Sequence, residues 1–141
     1  MLEALVGAIN NDTATLTSKT GFEFLRHLTD EICRYLVVGV GYFDFKGRDG
    51  LIALLKRFVP DNHYLVIVVK KPKYKDDLNR LSALRNFAAH TSSKSKQAAL
   101  EATGQQKISS SGAWLKKHNR FQSMIVSLKE LAQEIHSQAP Y

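Results

Sequence analysis

The sequence predicts an all-α fold, on three observations. Apolar residues recur at helical spacing in several segments, with Leu78, Leu81, Leu84, Phe87 and Ala88 as the clearest stripe. A capping pattern, Thr20-Gly21-Phe22-Glu23, opens one of these segments. The one run with strand propensity, His63 to Val69, has no partner strand to satisfy its backbone.

The elements follow in order. Leu2, Leu5, Val6 and Ile9 share one face of a short first helix, and the Asn-, Thr- and Ser-rich segment from Asn10 to Thr20 reads as a loop. After the capping pattern, Phe22, Leu25, Leu28, Ile32 and Leu36 form the stripe of a second helix that ends near Gly39 or Gly41. Tyr42 to Gly50 is a connection, and Leu51 to Phe58 a helix that stops before Pro60. Asn62 to Lys71 is open between strand and helix, and the missing partner favours a buried helix. Tyr74 to His90 is a longer helix. Thr91 to Gly112 reads as a mobile polar loop with a helical turn at Gln97 to Ala102. Trp114, Phe121, Leu128 and Ile135 recur every seven residues, which predicts one long helix from Ala113 to His136.

At 141 residues with 44% hydrophobic content, the chain fits a single domain, 1–141, that folds without staples. Its only cysteine, Cys33, lies in an apolar pattern and is expected to be a buried, reduced thiol. One cysteine and five scattered histidines give no ligand pairs at zinc spacing, and neither a metal nor a cofactor is expected. Met1 to Ile9 has no basic n-region, and Tyr64 to Val69 is too short to span a bilayer, so no membrane association and a cytoplasmic location are expected. The net charge of +7 favours polyanions through Coulomb attraction and counterion release.

The chemistry-bearing constellation is Arg85, Asn86 and His90. On a helix Asn86 and His90 are neighbours at i and i+4. Arg85 and His90 are about 140° and about 7.5 Å apart, so Arg85 must swing to join them. Such a set suits RNA cleavage. A histidine titrating near neutrality removes the 2′-hydroxyl proton or protonates the leaving oxygen. The arginine fork stabilises charge on the phosphate, and the Asn amide orients either the His or the phosphate. No metal is needed, because the 2′-hydroxyl is the nucleophile. The plainer reading of His90 is a cation at a helix C-terminus.

Around this set, Lys70, Lys71, Lys73 and Lys75 are candidates to track an RNA backbone, with Tyr74 stacking on a base. Lys94 and Lys96, just past His90, are candidates for substrate contact. Replacing Lys71 and Lys73 together is expected to flatten the salt dependence of RNA binding without changing the fold. Lys116, Lys117, His118 and Arg120 form a second basic cluster, which either lines the same cleft or is an ordinary exposed face.

Leu84-Arg85-Asn86-Phe87-Ala88-Ala89-His90 resembles the signature of HEPN (higher eukaryotes and prokaryotes nucleotide-binding) domains. That signature is an Arg, a polar neighbour, and a His a few residues on. The resemblance implies a four- to five-helix bundle that dimerises with the motifs facing each other. It implies a metal-independent endoribonuclease, of the kind found in toxin–antitoxin and phage-defence systems, with an antitoxin protein as a partner. Other HEPN-like domains only bind RNA or nucleotides, for example as partners of nucleotidyltransferase-type antitoxins. The leading expectation is therefore an endoribonuclease, and the alternative a non-catalytic binding module.

Overall fold

Every regular element in the computed structural model, which describes residues 1–20, 28–39 and 43–140, is helical. The order is α1 (Leu2–Asn11), α2 (Thr13–Thr20), α3 (Asp30–Val38), α4 (Gly47–Leu55), α5 (Tyr64–Lys70), α6 (Lys75–Ala89), α7 (Ser93–Thr103), α8 (Ser111–Lys116) and α9 (Arg120–Gln138), with a 3₁₀ turn at Pro72–Tyr74. The all-α class is as expected, and Tyr64 to Lys70 is the buried helix rather than a strand. No helix of the described residues is long and apolar enough to cross a membrane.

Several boundaries depart from expectation, and polar caps explain most of them. The Asn10–Thr20 segment is helical apart from one break at Asp12. There the Asp12 carboxylate accepts from the Thr15 backbone N–H at 3.0 Å and starts α2, which buries Leu16. The capping pattern rests on Gly21 to Glu23 and, like Phe22 and Leu25 of the stripe, lies outside the described residues. Thr29 caps α3 instead, accepting from the Ile32 N–H at 3.3 Å. The helix ends at Gly39, whose φ of 63° favours glycine. On α3 the buried residue is Cys33, whereas Ile32 is exposed. Burial pushes the Cys33 thiol pKa up, with Asp30 adding to the effect, which fits an unreactive thiol.

The loop expected after His90 is mostly α7. Ser92 accepts from the Ser95 N–H at 3.2 Å to begin it, and Gly104, at φ 64°, ends it. Ala99 is fully buried, so a polar composition conceals a packed face. The long last helix is two helices. His118 and Asn119 take left-handed backbone, φ 54° and 56°, and separate α8 from α9. Trp114 and Phe121 therefore share no seam. Trp114 is buried and Phe121 exposed, and α9 packs through Met124, Leu131 and Ile135 with Leu128 half-buried.

Two apolar clusters hold the helices. The larger gathers Leu5 and Ile9 of α1, Leu51 and Leu55 of α4, Leu65, Val66, Val68 and Val69 of α5, Leu78 of α6, and Leu131 and Ile135 of α9. The smaller joins Leu84 and Phe87 of α6 to Ala99, Ile108, Trp114 and Met124. α6 and α9 serve both clusters, so the helix carrying the Arg-Asn-His set is packed along its length.

Glu134 ties α9 to the turn before α6. It accepts from the Tyr74 hydroxyl at 2.6 Å and pairs with Lys73 at 3.1 Å and with Lys71. The Lys71 ammonium, then the Tyr74 hydroxyl and Lys73, hold its carboxyl at a pKa of about 2, against 4.5 for an unstrained Glu. A depressed carboxyl pKa stabilises the fold fully above the unfolded value and ceases to do so as pH falls through the folded one. Wild-type stability should therefore drop between about pH 4.5 and pH 2. Denaturant unfolding across that window should show a shallower drop for Glu134→Gln. Equal slopes in both proteins would remove Glu134 from the acid response.

Candidate active site

The site is built on one face of α6. Asn79, Ser82 and Asn86 fall along that face at spacings of three and four, and His90 lies four further on, just past the helix end. A strap of chain before α4 lies against this row. The Ser82 hydroxyl donates to the Phe45 carbonyl at 3.0 Å, and the Arg48 backbone N–H donates to Asn79 Oδ1 at 2.8 Å. Gly47 makes this approach possible. Its φ is +65°, and a Cβ there would stand 2.5 Å from Asn79 Oδ1. The opposite wall is the first half of α7. Between the walls is a cleft of about 590 Å³, lined by Asp44, Lys46, Asn79, Ser82, Asn86, His90, Ser92, Lys94 and Ser95 among others.

His90 is the C-cap of α6. Its N–H donates to the Asn86 carbonyl at 2.8 Å, and its own carbonyl accepts from the Ser95 hydroxyl. The backbone of His90 thus closes the helix, while its exposed side chain lines the cleft. His90 sits on a short turn braced by Ser92 and Ser95, not at the start of a mobile loop. Arg85 stands beside the cleft. Its guanidinium pairs with the Asp44 carboxylate and donates to Asn86 Oδ1 at 3.2 Å. The Asn86 side-chain amide oxygen therefore orients Arg85. The Arg85 guanidinium holds the Asp44 pKa below the usual carboxylate range.

The other expected residues separate. Lys94 lines the cleft and Lys96 is exposed on α7. Lys70 and Lys75 are exposed, and the Lys70 carbonyl accepts from Arg48 at 3.3 Å. Tyr74 is 1% exposed, so it cannot stack on a base; its ring is core and its hydroxyl serves Glu134. Lys71 and Lys73 pair with that same carboxylate, so replacing both would remove two of the partners of Glu134 along with two cations. Lys117, His118 and Arg120 line a different pocket that shares no residue with the cleft.

Asp44, Lys46, Asn79 and Ser82 were not singled out from the sequence. The spacing of Asn79, Ser82, Asn86 and His90 was a readable signal, a polar row on a helix whose other side is leucine-rich. Asp44 left no local signal, because it reaches Arg85 across 41 residues of chain. The chain matches no protein-family model, no curated protein and no solved structure.

Proposed function

We propose that this chain is a metal-independent endoribonuclease of the HEPN type, cleaving RNA through the ribose 2′-hydroxyl. The observation that carries the reading is that His90, Asn86 and Lys94 line one cleft with Arg85 at its edge. His90 takes the 2′-hydroxyl proton, and the 2′ oxygen attacks phosphorus. The 5′ oxygen leaves, protonated by an acid, and Arg85 offsets the charge gathering on the phosphate. The products are a 2′,3′-cyclic phosphate and a 5′-hydroxyl. One His90 cannot be base and acid at the same moment, so two copies with facing motifs complete the set. In the setting the resemblance implies, the enzyme is a cytoplasmic toxin or phage-defence effector held in check by an antitoxin protein.

The test is incubation of purified protein with total RNA, with and without EDTA. Cleavage that persists in EDTA, leaves cyclic phosphate ends and fails on RNA with deoxyribose at the scissile position supports the reading. RNA bound but uncut would favour the second reading, a non-catalytic RNA- or nucleotide-binding module partnering a nucleotidyltransferase-type antitoxin. One observation speaks for that alternative: Arg85 is already engaged by Asp44.

Two further outcomes are expected. Light scattering at micromolar concentration should return a dimer, because a two-fold interface places the same surface on both chains; a monomer mass would count against facing motifs. RNA affinity should fall steeply with salt. Lys94→Ala with Lys96→Ala should lower the log–log slope by about 1.4, at about 0.7 per single-strand phosphate contact. An unchanged slope would place the RNA elsewhere.

A further inference from the structure

A second pocket lies past the C-terminal end of α7, whose first half walls the cleft. Its volume is about 190 Å³, and Lys107, Trp114, Lys117, His118 and Arg120 are among its lining residues. No carboxylate is among the residues that line it. Among the described residues, none of these cations pairs with an acidic side chain. Gathering positive charge without a counter-charge is unfavourable, and an anion seated among them relieves the repulsion.

A second observation is independent of charge. Trp114 is 8% exposed, and its indole Nε1–H is buried with no acceptor among the described residues. Such a donor costs free energy until an acceptor is supplied. Arg120 lies over the indole ring, 4.6 Å from its centroid, and donates to the Trp114 carbonyl at 3.4 Å, so it is partly engaged and close enough to turn to a ligand. The pocket also stands at the start of α9, where Asn119 makes no side-chain cap, so that end of the helix dipole stays positive. The left-handed pair His118 and Asn119 holds α8 and α9 apart at this point.

We propose that this pocket binds a phosphate group, with Lys107, Lys117 and Arg120 as its cations beside the Trp114 ring. A drug-sized ligand fills about 300–1,000 Å³, so the pocket suits a phosphate with little more than a sugar attached. The site does not depend on cleavage at His90. It serves either a terminal phosphate or a phosphate within an RNA strand.

Trp114 is the only tryptophan in the chain, so its fluorescence reports on the pocket. Titration with inorganic phosphate should give a saturable change and matching heat in calorimetry, with Kd on the order of 1 mM, which is about −4 kcal/mol. Sodium chloride at equal ionic strength should give neither. Lys107→Ala with Lys117→Ala should weaken binding at least tenfold while leaving the circular dichroism and the phosphate-free Tm unchanged, since both side chains are exposed. His90→Ala should bind phosphate like wild type, whatever becomes of RNA cleavage. Competition by 5′-phosphorylated against 5′-hydroxyl oligoribonucleotides then separates the two sources. Advantage to the phosphorylated strand marks a terminal phosphate, and equal competition marks the strand backbone. No saturable response and no heat, an unchanged affinity in the lysine double variant, or a response to poly-glutamate but not to phosphate would each overturn the proposal.

Discussion

His90→Ala should abolish RNA cleavage while leaving RNA binding nearly intact. Among the described residues lining the cleft, the His90 imidazole alone is suited by type to move a proton near neutral pH, whereas the affinity for RNA comes from cations the variant keeps. Because His90 is exposed and its backbone does the capping, the substitution should cost little stability. Arg85→Lys keeps the charge but loses the planar fork that suits two phosphate oxygens at once, and should also cut activity heavily. Asn86→Ala should have a smaller effect, since Arg85 keeps its pairing with Asp44. Wild type and His90→Ala compared on the same RNA decide the matter. Equal cleavage by both would assign the activity to a contaminant or to another site.

Leu65→Ala should be among the most destabilising single changes, costing about 2–5 kcal/mol, as buried Leu→Ala changes do. Leu65 is 0% exposed in the larger core, where α5 packs against α4 and α9. At roughly 3 °C per kcal/mol for a chain of this size, its Tm should fall by about 6–15 °C. Ile67, two residues along, is 48% exposed, and Ile67→Ala should cost less than about 1 kcal/mol. The contrast tests the element itself. A strand would put Leu65, Ile67 and Val69 on one face. The helix buries Leu65, Val66, Val68 and Val69 and turns Ile67 outward. Equal losses from Leu65→Ala and Ile67→Ala would contradict the helical packing.

Features that depend on residues near one another in the chain are legible before folding. The stripe of Leu78, Leu84 and Phe87 marks α6 because helical period and burial coincide there. Arg85, Asn86 and His90 were legible for the same reason, being within two turns of one helix. Cys33 as a buried thiol followed from its apolar neighbours. Polar composition misled at Asn10–Thr20 and Thr91–Gly112, because Asp12 and Ser92 cap helices instead of prolonging loops.

The remaining features arise from contacts between distant segments. No glycine or proline announces the break at His118 and Asn119, so the seven-residue repeat ran through it. Tyr74 looked available for stacking beside its lysines, but packing buries the ring and Glu134, 60 residues on, takes its hydroxyl. Asp44, Lys46 and Gly47 become a wall of the cleft because Asn79 and Ser82 hold their strap from α6. Contacts of that length leave no period in the sequence; they are fixed when buried backbone groups and charges find partners as the helices close on one another.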